Sequence, residues 1–96
     1  MTYDASGTLP CSAGSPSFDA ACGWRLVRKG GGGSEIWISN IATTDEVTFR
    51  VLDFAQDEFI ARDGTPLTVR KSGEIWEVSV PGREYYRISA EVMGAA

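Results

Sequence analysis

Residues 74–88 read Glu-Ile-Trp-Glu-Val-Ser-Val-Pro-Gly-Arg-Glu-Tyr-Tyr-Arg-Ile, and the period of their apolar positions decides the fold. In 74–80, Trp76, Val78 and Val80 fall on one face, and Ile75, Glu77 and Ser79 on the other, as the two-residue repeat of a half-buried strand requires. Pro81 then presets φ and Gly82 offers positive φ, the sequence of a type II turn. Beyond it the same alternation turns Tyr86 and Ile88 inward and Tyr85 and Arg87 outward. The stretch is a hairpin.

Working outward, the same grammar predicts strands at 24–28, 35–39, 46–52, 58–62, 67–71, 74–80 and 84–88, each rich in Val, Ile, Trp, Tyr, Phe or Thr. Ser72-Gly73 and Asp63-Gly64-Thr65-Pro66 mark further turns, and no segment carries a convincing helical stripe. Links this short pair successive strands antiparallel, because a parallel crossover needs a dozen or more residues. The expected fold is therefore all-β: an antiparallel meander of about seven short strands curled into a small barrel or strongly bent sheet. Its expected core holds Ile36, Ile38, Phe49, Val51, Trp76, Val78, Val80, Tyr86 and Ile88, with Val47 beside Phe49 and with Thr48 and Arg50 facing out. At 96 residues the chain is one domain (1–96), read as an irregular arm over 1–23 and a β domain over 24–93.

Every strongly apolar stretch follows Cys11 and Cys22, which stand in a lead segment containing Gly7, Pro10, Gly14 and Pro16. These are the chain's two cysteines, and an even count in a small domain fits one disulfide pinning the arm to the sheet. Such bridges persist in oxidising compartments, so the pair predicts a periplasmic or secreted protein. Met1-Thr2-Tyr3-Asp4 lacks the charged and apolar regions of a signal peptide, so on this reading the sequence is that of the mature form. With no histidine in the chain and no Cys-x-x-Cys spacing, neither a zinc shell nor a redox motif is supported, and no metal or cofactor is expected. A net charge of -4 argues against gripping nucleic acid, and no apolar run approaches the length of a membrane span.

The string Tyr3-Asp-Ala-Ser-Gly-Thr-Leu-Pro-Cys11, the second cysteine, the run Val27-Arg-Lys-Gly-Gly-Gly-Gly-Ser-Glu-Ile36 and the ending 72–94 resemble a family of small exported bacterial proteins. That family opens on an Asp-Ala-x-Gly-x-x-Pro-Cys string, continues with a second Cys, a basic residue and a Gly run, and closes on a Tyr-containing strand. Residues 40–66 depart from it. The resemblance implies export and a paired Cys11–Cys22, and carries no activity and no catalytic residue.

Catalytic arrangements are poorly supplied. Without histidine there is no Ser-His-Asp or Cys-His system. Asp53, Asp57 and Glu58 form the densest acidic cluster; Phe54-Ala55-Gln56 does not provide a calcium loop, and solvated loop acids are the plain reading. Gly30–Gly33 follow Lys29 and precede a strand, the reverse of a phosphate-binding loop, and are expected to be a flexible hairpin connection. The protein is read as not an enzyme. The favoured function is an exported binding module for another macromolecule, protein or glycan, with inhibition of an extracellular hydrolase as one form. A structural envelope protein and a carboxylate-using hydrolase stay open as alternatives. Arg25, Trp37, Arg50, Tyr85 and Arg87 are the outward set left by the alternation and form the candidate interaction surface, since Arg, Trp and Tyr most often anchor interfaces. The plain alternative has Trp37 covering a second small cluster under the arm near Phe18.

Overall fold

A computed structural model describes residues 3–39 and 49–94. Its eight strands are β1 (Ala5–Ala13), β2 (Ala20–Arg28), β3 (Ser34–Ser39), β4 (Phe49–Ala55), β5 (Glu58–Ala61), β6 (Thr68–Ser72), β7 (Ile75–Val80) and β8 (Glu84–Ser89), followed by the one-turn helix α1 (Ala90–Gly94). They form one antiparallel sheet in the order β5-β4-β3-β2-β1-β8-β7-β6, curled into a nearly closed barrel. The all-β meander is as expected. Chain neighbours pair throughout except that the first strand joins the last, and the seam lies between β5 and β6.

The lead segment corrects the expectation of an irregular arm. Residues 5–13 form β1, and β2 begins at Ala20, so the two pair from Ala5↔Leu26 to Cys11↔Ala20 at the centre of the sheet. Glycine, proline and serine masked this hairpin from a propensity reading, although Leu9, Cys11, Cys22, Trp24 and Leu26 keep strict alternation and are all buried. Pro10 has no N–H to give the ladder. The β1–β8 pairing accordingly covers only Cys11↔Tyr86, Ser12↔Tyr85 and Ala13↔Glu84. The Cys11–Cys22 disulfide, with Cα atoms 6.0 Å apart, lies diagonally across this hairpin on the core side. It ties two strands that already pair, rather than an arm to a domain.

A second correction concerns β4. Phe49 and Val51 were expected inside, yet Arg50 and Leu52 are the buried residues, at 8% and 0% exposure, while Phe49 and Val51 lie half-buried on the outer face. The reason is electrostatic and steric together: Arg50 finds a buried carboxylate, and Leu52 continues the inward row Ala5–Leu26–Ile36–Leu52–Ala61. Val47 and Thr48 lie outside the described residues. Elsewhere the facing holds: Ile36, Ile38, Trp76, Val78, Tyr86 and Ile88 are buried, and Val80 is half-buried.

The turns follow their chemistry. Arg83 N–H donates to the Val80 carbonyl with Gly82 at φ 81°, which makes the expected type II turn. The Gly30–Gly33 segment is a hairpin loop closed by Lys29 N–H to the Gly33 carbonyl. Gln56 and Asp57 both take positive φ in the two-residue β4–β5 turn, the geometry of a type I′ turn without its usual glycine. Across the seam, Phe54, Phe59 and Trp76 bring their rings within 4.6–5.5 Å of one another and close the core with side chains where the ladder stops.

Candidate functional site

Outward-facing residues of β2, β3 and β4 meet through the register Arg25↔Trp37↔Val51 and Glu35↔Asp53. Trp37 stands half-buried against Phe49, ring centroids 5.7 Å apart and edge to face. The Arg25 guanidinium lies between two rings, 5.4 Å from the Tyr3 centroid and 5.5 Å from that of Phe49. Arg62 covers the other side of Trp37 at 5.8 Å. The Phe49–Trp37 ring pair is thus flanked by Arg25 and Arg62, each cation held by the negative face of a neighbouring π system.

Next to these rings sits a four-charge network. Trp37 Nε1 donates to Glu35 Oε1 at 2.9 Å, Arg62 bonds both Glu35 and Asp53, and Lys29 bonds Asp53 and lies 3.7 Å from Glu35. The Trp37 hydrogen bond, with Arg62 and Lys29 adding to it, holds the Glu35 carboxyl below the ordinary range. Lys29 first, and then Arg62, does the same for Asp53. The network fixes Trp37 and Arg62 in place. Of the acidic cluster seen in the sequence, Asp53 is tied into this network, while Glu58 lines a hollow of about 440 Å³ beside it with Lys29 and the glycine loop, and Asp57 sits in the β4–β5 turn.

Beside the Arg25 stack a groove of about 450 Å³ opens over β1 and β2. Its walls are Tyr3, Arg25 and Phe49, and its floor is made of Ser6, Thr8, Gly23 and Ser39, with Gly7 and Trp24 completing the lining. Small residues on three adjacent strands make the hollow, and hydroxyls line it. Arg25 is the one formal charge among these lining residues. Trp24, 7% exposed, has an indole N–H with no hydrogen-bond partner among the described residues, and such orphans call for an explanation.

No family model, curated protein or solved structure matches the chain. The geometry therefore stands alone.

Of the predicted surface, Arg25 and Trp37 do meet here. Tyr85 and Arg87 do not: they form a separate patch with Phe18, whose ring lies 6.5 Å from Tyr85 and 4.0 Å below the Arg87 guanidinium. Arg25 faces Ser6 of β1 and Tyr85 faces Ser12, so the patches lie roughly 20 Å apart along the strand axis at about 3.3 Å per residue. Phe18 thus covers Tyr85, while Trp37 covers Phe49. Arg50 is a correction, for it points into the barrel. Its Nε and Nη2 donate to Glu84 Oε1 and Oε2 at 2.8 and 2.6 Å, and its Nη1 reaches Asp63 and Thr65. The Tyr86 hydroxyl donates to the same Glu84 carboxylate at 2.9 Å. The hydrogen bonds it donates to Glu84 raise the Arg50 pKa further, so its charge is permanent.

Sequence reading missed Tyr3, Phe49 and Arg62 as members of the face. Tyr3 lay in the supposed arm, and Phe49 was assigned to the core. Arg62 ends the expected strand 58–62, where alternation sets it outward with Glu58 and Ile60, but nothing in the sequence joined that position to Trp37; in the structure it comes just after β5. Among the described residues there is no group of three or more metal-ligating side chains, and no helix is long and apolar enough to cross a membrane.

Proposed function

We propose that the protein is an exported, non-enzymatic recognition domain that binds a glycan along the outer face of β1–β4. The observation that carries this reading is the groove itself: aromatic walls, a hydroxyl floor and one guanidinium beside it. Sugar rings present apolar C–H faces for aromatic contact and hydroxyls for directional hydrogen bonds, and a site of a few fixed polar groups among apolar walls meets both demands. Arg25 supplies donors for a hydroxyl or an acidic substituent, and among the described residues no carboxylate lines the hollow to oppose an acidic sugar. Export is supported by the buried Cys11–Cys22 bridge and by the resemblance to small exported bacterial proteins.

A non-catalytic role is supported by the state of the nearby acids. Glycoside hydrolysis needs one carboxylic acid whose pKa is raised, whereas Glu35 and Asp53 are both pushed down by the cations they bind. Binding to an array of neutral and acidic polysaccharides tests the proposal. The native chain should retain at least one of them, and Arg25→Ala and Trp37→Ala variants should keep the native circular dichroism while losing about ten-fold or more in affinity. Retention of no polysaccharide, or equal affinity in the Arg25 variant, refutes the glycan reading.

A further inference from the structure

Two edges of the barrel are left open, and their sequences fit each other. Among the described residues β5 pairs only with β4, and β6 only with β7, so each presents an unpaired row of backbone donors and acceptors, apart from the Ala61 carbonyl, which takes the Gly64 N–H. Such edges invite another strand unless something blunts them. Every residue of β6 is exposed, including Val69, which faces Val78 on the core side yet is 37% exposed; Ile60 on β5 is 63% exposed.

An antiparallel pairing of β5 with β6 that places Phe59 opposite Val69 aligns the rest at once. Ala61 then faces Leu67, Ile60 faces Thr68, Glu58 faces Arg70, and Asp57 faces Lys71. The faces agree as well. Phe59 and Ala61 are core-side on β5, as Val69 is on β6; Glu58 and Ile60 are outward, like Thr68 and Arg70. Opposite charges meet at two successive positions, and Arg70, Asp57 and Glu58 have no ion pair among the described residues. Pairing β6 with a second β6 offers no opposite charge, and with Arg70 set against Lys71 it would bring like charges together, which is destabilising.

We propose that a second copy of the chain occupies these edges, β5 of each copy adding to β6 of the other in this register. A two-fold axis parallel to the strands sets the two seams face to face and satisfies both pairings with one self-complementary interface. Closure of the seam within one chain is opposed by what already holds the connection. Arg62 N–H bonds Val51, Gly64 N–H bonds Ala61, and Asp63 is taken by Arg50 and Thr65. This surface is distinct from the groove, so neither proposal depends on the other.

Sedimentation velocity of the oxidised, full-length chain over a range of concentrations tests it. The native protein should show a monomer–dimer equilibrium. Arg70→Glu should weaken the dimer by about ten-fold, since two symmetry-related pairs turn repulsive at a few tenths to about 1 kcal/mol each. The Glu58→Arg, Arg70→Glu double variant should restore it. A native chain that stays monomeric throughout, or a dimer indifferent to Arg70→Glu, overturns the proposal. Cysteine replacements give an independent reading. A mixture of Glu58→Cys and Arg70→Cys chains should oxidise to a covalent dimer, and a double variant that cross-links within a single chain overturns the exchange.

Discussion

Gly7 faces Trp24 across the β1–β2 hairpin, and a Cβ placed there would stand 3.0 Å from Cζ2 and 3.2 Å from Cε2 and Nε1 of that indole. Two effects of a Gly7→Ala substitution oppose each other. Replacing a strand glycine with alanine gains about 0.5–1 kcal/mol by restricting the unfolded chain. Crowding a packed ring costs about 1–3 kcal/mol, and the contact here is with a rigid aromatic system in the core rather than the tip of a flexible side chain. The second effect wins, so the variant should lose about 1 kcal/mol in urea unfolding. Equal or higher stability would mean that the Trp24 indole has room to move. Of this arrangement the sequence shows Gly7 and Trp24 but not their encounter. A glycine in a Ser/Gly/Pro-containing lead reads as a turn signal until the register sets it against a tryptophan.

At the scale of the strand, alternation was legible wherever one face was uniformly apolar, as in β3 and β7, and over Tyr86 and Ile88 of β8. It failed in β4, where Phe49, Val51, Leu52 and Phe54 put large apolar groups on both faces and the period alone could not choose. The choice was made by Arg50, whose carboxylate partner lies 34 residues away on β8. No local pattern contains that information. The β1–β2 hairpin was hidden for a different reason: its residues have low strand propensity, and it is held by its central place in the sheet and by the Cys11–Cys22 bond. That bond closes a short loop in the unfolded chain, which is worth about 3 kcal/mol on the chain-entropy account. A Cys11→Ala, Cys22→Ala variant adds the loss of two buried side chains, at 0% and 3% exposure. It should therefore lose more than reduction alone, by about 1 kcal/mol or more. Denaturant midpoints of the oxidised, reduced and double-alanine chains check this order. Oxidised and reduced midpoints that coincide would show that pairing with β3 and β8 already fixes the hairpin.

Across the whole molecule, the barrel has two parts meeting at the open seam: β2–β5 on one side, and β6–β8 with β1 on the other. Aromatic rings of Phe54, Phe59 and Trp76 bridge the seam on the core side, and the Arg50–Glu84 pair spans the interior from β4 to β8. Glu84 is wholly buried and accepts from Arg50 twice and from Tyr86 once, so its negative charge is well satisfied. A buried pair of this kind adds little over an apolar substitute of the same shape, but removing one partner leaves the other charge in a poor solvent. Glu84→Leu should then cost about 3 kcal/mol, toward the lower end for such losses because Asp63 still offers Arg50 a carboxylate at the barrel's end. Joining it to Arg50→Met removes the stranded cation and should recover much of that loss. The double-mutant cycle, read from denaturant unfolding of all four proteins, isolates the coupling between the two sites. Additive losses would show that Arg50 and Glu84 act separately, and the two sides of the barrel would then be joined by Phe54, Phe59 and Trp76 and the β1–β2 ladder rather than by charge.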